Sequence, residues 1–359
     1  MKKTFINVAI IGCGRVASHY RKILMSKEVT GFKIVGVCDL IAEKAEEFAD
    51  DFKCKAYTSY IEMLETIKPD FLIIATPSGS HYEHTKIALN KGIHVLVEKP
   101  LTMIPSHARE LVSVAEKMNL MYAVAFQNRL NPAIRVLAKA INENRFGKIV
   151  TSTVRLRWCR YQDYYNDGWH GTWENDGGVI NQQAIHHVDI INWLMGPIIS
   201  VCAASSNRLN KLEAEDTMVS IVKFQNGALG TIEATTAARP QDFEASISIV
   251  GEKGTVVIGG IALNKIETWK FIEQFPEDEN VIELYSQEVP TGYGLSHKGI
   301  LQNAFDALLN KSIIPEVSGS MALATTELIH ALYKSEEVNG WVYLKDLPIS
   351  SRLGNKIKK

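Results

Sequence analysis

Two side chains that can hold or move a proton stand in distinctive segments of this chain. Lys99 lies in Glu98-Lys99-Pro100, directly after the apolar run 94–97, and His186 lies in an apolar stretch that follows Gly177-Gly178. A lysine ammonium can stabilise a developing alkoxide, and a neutral imidazole can accept a hydroxyl proton. The pair therefore suits the oxidation of a secondary alcohol, with His186 as general base and Lys99 orienting the oxygen. The reverse assignment stays open, because a desolvated neutral lysine can also act as a base.

A glycine-rich turn near the N-terminus predicts the partner that would accept the hydride. The apolar run 8–11 feeds Gly12-Cys13-Gly14-Arg15-Val16-Ala17, and a second apolar run, 34–38, ends at Asp39. Gly12 permits a tight turn, Gly14 lets the backbone approach a pyrophosphate, and Ala17 lets a helix pack on the strand. Asp39 is placed to accept hydrogen bonds from the ribose hydroxyls and would repel a 2′-phosphate. The combination predicts an NAD site in preference to an NADP site.

The periodicity of the chain changes once. Short apolar strands alternate with helical stretches up to Phe126, which predicts a doubly wound parallel sheet, and Glu98 and Lys99 follow one of its strands at the edge where such sheets bind ligands. Later runs are rich in β-branched residues and joined by turns such as Asn226-Gly227, which predicts a largely antiparallel open sheet. We therefore expect an α/β fold with an NAD-binding Rossmann domain at 1–126 and an α+β domain for substrate binding and oligomerisation at 127–359.

The segment from Gly177 to Gly196 predicts a single helix that ends at a glycine cap. On such a helix Gln182, His186 and Asp189 share one face, whereas His187 lies one step around it. The preceding segment, 157–165, is aromatic and basic. It could form a wall for a large ligand or an interface loop, and the residue types leave both open.

Composition narrows the partners. The chain has 39 basic and 40 acidic side chains in 359 residues, so it shows no electrostatic sign of a nucleic-acid partner. Its five cysteines lack Cys-x-x-Cys spacing, and no metal site is expected. The first residues lack the apolar region of a signal peptide, and no apolar stretch is long enough to span a bilayer. We expect a cytoplasmic protein with a small-molecule substrate and no membrane partner.

These motifs together resemble the glucose-fructose oxidoreductase / inositol dehydrogenase (Gfo/Idh/MocA) family. The resemblance covers most of the chain and implies NAD(P)-dependent oxidation of sugar or cyclitol hydroxyls, with Lys99 and His186 as the catalytic residues. In many members an Asp precedes the histidine by four positions, and Gln182 occupies that place here, so the mechanism lacks a Lys-Asp-His triad. His170 stands where many relatives have Arg after Trp. The cofactor contacts implied by the resemblance are Gly12, Gly14, Arg15, Val16, Ala17, Asp39, Thr76, His81, Glu98, Lys99, Gln127, Trp169 and His170.

A narrower set of segments, including Tyr161–Tyr165, Gly171-Thr172-Trp173 and Gly292-Tyr293-Gly294, is similar to the UDP-N-acetylglucosaminuronate 3-dehydrogenases of bacterial polysaccharide biosynthesis. This similarity implies oxidation of the sugar C3 hydroxyl. The open face of the C-terminal sheet predicts either a bound substrate or a homo-oligomer, dimer or tetramer, formed through that sheet. The candidate substrate contacts are Tyr164, Tyr165, Asn181, Gln182 and His297. A dehydrogenase of a free sugar or cyclitol, and a non-catalytic dinucleotide-binding sensor, remain alternatives.

Overall fold

A computed structural model describes residues 5–356. The expectation about a signal peptide also uses residues 1–4, which lie outside the described residues. The chain forms two compact units. The first runs to Phe126 and also includes His297–Leu323, whereas the second comprises Gln127–Ser296 and resumes at Ala324. The first segment of the first unit ends at Phe126, where the predicted Rossmann domain also ends, whereas residues 297–323 lie within the predicted second domain.

The first unit contains a six-stranded sheet in the order β3-β2-β1-β4-β5-β6, and every neighbouring pair is parallel. Its elements up to Phe126 are β1 (Ile6–Ile11), α1 (Arg15–Met25), β2 (Phe32–Cys38), α2 (Ala42–Phe52), β3 (Lys55–Tyr57), α3 (Tyr60–Ile67), β4 (Phe71–Ile74), α4 (His81–Asn90), β5 (His94–Val97), α5 (Pro105–Met118) and β6 (Tyr122–Val124). All four residues of β4 are buried, as continuous apolar strands of parallel sheets are. The predicted doubly wound sheet is confirmed.

The second unit contains an eight-stranded sheet in the order β13-β12-β11-β7-β10-β9-β8-β14. Its elements and those that follow are α6 (Pro132–Asn142), β7 (Ile149–Arg157), α7 (Val179–Gln182), α8 (Ile185–Met195), β8 (Ile198–Ser206), β9 (Thr217–Phe224), β10 (Leu229–Thr235), β11 (Glu244–Gly251), β12 (Gly254–Gly259), β13 (Lys265–Phe271), α9 (Val281–Tyr285), α10 (His297–Leu309), α11 (Gly319–Val338) and β14 (Val342–Tyr343). Neighbouring strands are antiparallel except β7 and β10, which run parallel. The predicted hairpin at Asn226-Gly227 joins β9 to β10, and the open, largely antiparallel sheet is confirmed.

Helix α10 explains why the late segment belongs to the first unit. Phe305 packs its ring on Phe32 and Phe71, with centroids 5.2 and 5.5 Å apart, and is fully buried. The Gln302 amide oxygen accepts a hydrogen bond of 2.8 Å from the Thr30 N–H. These contacts let α10 bury a face of the sheet beside β1 and β2. The first 126 residues alone do not cover that face. Among residues 5–356 no helix is long and apolar enough to cross a bilayer.

The helix predicted from Gly177 to Gly196 is broken into α7 and α8. The Ala184 N–H bonds back to the Val179 carbonyl, and α8 starts afresh at Ile185. Gln182 therefore belongs to a different helix from His186, and the prediction of one continuous face is wrong for Gln182.

Helix α8 is anchored by a buried ion pair. The Arg129 guanidinium donates two hydrogen bonds of 2.6 Å to the Asp189 carboxylate, which also accepts one of 2.8 Å from the Thr325 hydroxyl. Arg129 is 6% exposed and Asp189 is fully buried. Asp189 is thus committed to Arg129 in the fold.

A second buried carboxyl, Glu215, holds the start of α7. Its Oε1 accepts hydrogen bonds from the Ile180 N–H at 3.1 Å and from the Tyr333 hydroxyl at 3.0 Å. Gly178 is pressed against it, since an added Cβ would lie 2.1 Å from Glu215 Oε2. Burial raises the pKa of Glu215 to about 7, against the hydrogen bonds that lower it.

We expect Asp189→Asn to lower the free energy of unfolding of the second unit by about 3–5 kcal/mol, because Arg129 would keep a buried charge without its carboxylate. Urea unfolding followed by tryptophan fluorescence measures this, since Trp193 lies 5.1 Å from the Arg129 guanidinium. Glu143→Gln, which breaks the exposed 3.7 Å pair with Lys139, is the control and should change stability little. A change for Asp189→Asn no larger than the control's would contradict the role given to this pair.

We also expect Glu215→Gln to gain stability over wild type as the pH rises from about 5 to 8. The folded pKa lies above the unfolded value, so wild-type stability is full below the unfolded pKa and is lost as the carboxyl ionises towards about pH 7. The difference should grow by about 3 kcal/mol at most. Thermal unfolding at several pH values, with the exposed Glu174→Gln as control, measures it; a pH-independent difference would refute the buried neutral carboxyl.

Candidate active site

The turn between β1 and α1 has the features of an anion site. Gly12 has φ +85°, and a Cβ there would lie 2.6 Å from the Ala75 carbonyl oxygen. Gly14 caps α1 without a side-chain hydrogen bond, no acidic residue occupies the first turn, and an added Cβ would meet nothing within 4 Å. The start of α1 therefore has open space beside Gly14, as the close approach of a pyrophosphate requires. Ala17 is fully buried, as its predicted packing role needs.

Asp39 ties this turn to the end of β2. Its Oδ2 accepts a 2.7 Å hydrogen bond from the Cys13 N–H, and its Oδ1 accepts a 2.9 Å bond from the Ile41 N–H. Each carboxylate oxygen has a second lone pair, which can accept from a ribose hydroxyl. The residues present thus fit NAD, and the negative charge at this place opposes a 2′-phosphate.

The loops after β4 and β5 are joined by His81. Its Nδ1 lies 2.7 Å from the Pro100 carbonyl oxygen, its Nε2 lies 2.9 Å from the Thr76 carbonyl oxygen, and the side chain is 1% exposed. The Thr76 hydroxyl lies 3.0 Å from His84 Nδ1. Each ring nitrogen of His81 thus lies within hydrogen-bond distance of a backbone carbonyl, and its contact with the cofactor stays a prediction. These contacts position the loop that carries Lys99, which is itself partly exposed.

Glu98 lies in a buried polar group within the first unit. The Tyr20 hydroxyl donates a 2.7 Å hydrogen bond to Oε1, and the Lys99 N–H donates a 3.2 Å bond to Oε2. His297 Nε2 lies 3.8 Å from Oε1, and burial raises the pKa of Glu98. His297 is 1% exposed and packs its ring against Tyr20, and its contact with the substrate stays a prediction. It supports the Glu98-Lys99 segment from α10.

In the second unit, the loop after β7 gathers several predicted residues into an aromatic group. His170 Nδ1 lies 2.5 Å from Asp167 Oδ2, the ring of Trp169 lies 3.7 Å from that of His170, and Tyr164 lies 4.5 Å away. Partial burial raises the pKa of Asp167, but the hydrogen bonds from His170 outweigh it and hold that pKa below its usual value. Sequence reasoning missed Asp167, although an acidic residue three positions before a histidine is a readable signal.

Other predicted residues of this unit divide between packing and possible contact. The Tyr165 hydroxyl is paired with Thr236 at 2.8 Å, and burial raises the pKa of Tyr165 to about 12. The Asn181 amide donates a 2.7 Å hydrogen bond to the Asp176 backbone carbonyl. Tyr165 and Asn181 thus both make hydrogen bonds within the fold. Gln127 Oε1 is buried and makes no hydrogen bond to another described residue, and its contact with the cofactor stays a prediction.

The helix pair α7 and α8 presents His186 partly exposed, whereas Gln182 is 8% exposed and His187 is 1% exposed. The acid at the end of the His-x-x-Asp motif, Asp189, serves Arg129. No group of His, Cys, Asp and Glu side chains within residues 5–356 is arranged to hold a metal ion.

Comparison with known proteins agrees with this geometry. Residues 6–126 match the oxidoreductase family with an NAD-binding Rossmann fold, and residues 134–257 match the GFO/IDH/MocA C-terminal domain. The structure is similar to the WlbA dehydrogenase of Bordetella pertussis in complex with NADH and UDP-GlcNAcA, with TM-score 0.91, 33% identity, and 96% of this chain and 99% of that chain covered. It is also similar to the WlbA dehydrogenase of Chromobacterium violaceum bound to the same two molecules, with TM-score 0.89, 34% identity, and coverage of 96% and 97%.

A more distant relative is the D-glucoside 3-dehydrogenase of Escherichia coli, 28% identical over 278 residues, which are 70% of this chain and 77% of that protein. The family matches lie in both units, and the likeness to the two solved dehydrogenases extends over nearly the whole chain. The chain therefore belongs to the Gfo/Idh/MocA family of NAD-binding oxidoreductases.

Proposed function

We propose that the protein oxidises the C3 hydroxyl of UDP-N-acetylglucosaminuronate, or of a closely related UDP-sugar, with NAD. The observation that carries this proposal is the likeness, over almost the whole chain and above 30% identity, to two dehydrogenases crystallised with NADH and UDP-GlcNAcA. The relative that acts on D-glucosides is less similar and matches less of the chain. It supports oxidation at C3, and it makes a free sugar the second candidate substrate.

His186 and Lys99 act on the hydroxyl in this proposal. His186 is partly exposed on the rigidly anchored helix α8, and as a neutral imidazole it accepts the hydroxyl proton. Lys99, held by the hydrogen bonds around Glu98 and Pro100, donates to the oxygen and stabilises its developing negative charge. Bound NAD supplies the hydride acceptor. Because Gln182 cannot take up a proton as an Asp would, His186 works without a carboxylate at that position.

The proposal extends to the cell and the assembly. Val219 and Ile221 on β9 and Leu229 on β10 are about half exposed on neighbouring strands of the second sheet. Exposed apolar side chains on an open sheet favour association, so we propose a homo-oligomer, dimer or tetramer, formed through this sheet. A cytoplasmic enzyme that supplies a 3-keto sugar nucleotide for surface-polysaccharide, including lipopolysaccharide, biosynthesis is consistent with these features.

The test is NADH formation at 340 nm with purified protein and UDP-N-acetylglucosaminuronate, beside UDP-N-acetylglucosamine, a D-glucoside and myo-inositol. A coupled aminotransferase removes the ketone if the equilibrium is unfavourable. We expect turnover with the uronate and a strong preference for NAD over NADP because of Asp39. Turnover only with a free sugar or cyclitol would replace the proposed substrate, and no turnover with any of them would favour a dinucleotide-binding sensor.

We expect His186→Asn to lower kcat by about 10²–10⁴-fold, because the proton acceptor is lost. Lys99→Met should lower it by about 10²–10³-fold, because the alkoxide loses its cation. Steady-state kinetics with saturating NAD measures both, and Lys91→Met, which removes an exposed lysine paired with Glu65, is the control. If His186 is the base, the fall of kcat on the acid side of the pH profile should be absent in His186→Asn and present in Lys99→Met. The opposite pattern would assign the base to Lys99. Near-normal turnover in either variant would refute this mechanism.

A further inference from the structure

Three side chains of the second unit place unused hydrogen-bond donors in one cluster. The indole nitrogen of Trp158 and both ring nitrogens of His187 are buried and make no hydrogen bond to another described residue. The two rings meet edge to face with centroids 6.5 Å apart. The guanidinium of Arg160 lies 5.0 Å from the Trp158 ring. Buried polar atoms of this kind are nearly always satisfied by a ligand or by water.

The chemistry of the cluster selects an oxygen ligand. Burial lowers the pKa of His187 to about 3, so its ring is neutral and offers one N–H donor and one acceptor. The indole of Trp158 can only donate. Arg160 uses Nη1 for the Cys159 carbonyl at 2.6 Å and for Asp242 at 3.0 Å, and its Nε and Nη2 bond to no other described residue. Donors outnumber acceptors, which fits a group made of acceptor oxygens.

The charge and the position of the cluster select among such groups. Its single guanidinium, partly neutralised by Asp242, matches one negative charge better than the two of a diphosphate. His187 is also the neighbour in sequence of His186, so the two Cα atoms lie about 3.8 Å apart. Their side chains point about 100° apart around α8, so a group bound at His187 lies to one side of the sugar ring that reacts at His186. On a uronate, the carboxylate is carried by that same ring.

We propose that Trp158, Arg160 and His187 form the subsite for the carboxylate of the uronate sugar and distinguish it from a sugar with a neutral hydroxymethyl group. This inference rests on the proposed function and names the residues that set its specificity. The carboxylate accepts from the Trp158 indole and the His187 ring, and Arg160 balances its charge. Gly292 borders the same indole, since an added Cβ there would lie 3.5 Å from the Trp158 ring.

The experiment compares the binding of UDP-glucuronate, UDP-glucose and UDP to the enzyme saturated with NADH, by isothermal titration calorimetry. The first two ligands differ only in the carboxylate. We expect Trp158→Phe and Arg160→Gln each to weaken binding of UDP-glucuronate by about 10-fold or more, since a hydrogen bond to a charged group is lost, and to leave UDP-glucose and UDP unchanged. Trp341→Phe, which alters a 41% exposed indole elsewhere in the unit, is the control.

Each other outcome is decisive. Equal weakening for all three ligands would assign the cluster to the diphosphate, and unchanged affinities would leave it a site for internal water; both overturn the proposal. No preference of the wild type for UDP-glucuronate over UDP-glucose would overturn it as well. The variants could abolish a carboxylate preference in an enzyme that does not oxidise UDP-N-acetylglucosaminuronate; this result would refute the proposed function and support the subsite. If the variants oxidised that substrate with the wild-type kcat/KM, the subsite would be refuted and the proposed function supported.

Discussion

The buried ion pair of Arg129 and Asp189 is the interaction on which the second unit's site depends. Arg129 comes from the turn before α6, Asp189 from α8, and Thr325, which donates to the same carboxylate, from α11. Three segments far apart in sequence thus meet on two carboxylate oxygens, which fixes the axial rotation of α8. That rotation decides that His186 is partly exposed while His187 and Asp189 are buried. Asp189 and His186, the proposed general base, are separated by less than one helical turn.

In the first unit, side chains also hold separate segments together, and their partners there are backbone groups. Asp39 binds the N–H of Cys13, and His81 spans the carbonyl groups of Thr76 and Pro100. Loops at the carboxyl edge of a parallel sheet have no ladder partners of their own, so side chains must supply the hydrogen bonds that order them. A side chain in such a loop can therefore be essential to a site without contacting the ligand. His81 and His297, both expected as ligand contacts, also make contacts within the fold, with the Thr76 and Pro100 carbonyl groups and with Glu98 and Tyr20.

The sequence predicted most of the architecture because that information is local. The alternation of strands and helices up to Phe126 and the hairpin at Asn226-Gly227 follow from residue periodicity and turn chemistry, and the structure has both. The parallel pairing of β7 with β10 and the return of α10 to the first unit could not be read, since both depend on contacts between distant segments. The break between Gln182 and Ile185 was missed for a related reason, because Glu215 and Tyr333, which hold the start of α7, lie far along the chain. For the site, the residue types were readable and their hydrogen-bond partners were not.

The late segment 297–323 also bears on how the chain folds during synthesis. When the ribosome has released the first 126 residues, Phe32 and Phe71 still lack the ring of Phe305, and the Val124 N–H still lacks the Val317 carbonyl that it bonds at 3.1 Å. The second unit's sheet, whose strands all lie between these two parts except β14, can form in the meantime. The nucleotide-binding unit is therefore completed late although it is translated first. A nascent chain stalled before residue 297 would expose an apolar sheet face to chaperones and to aggregation.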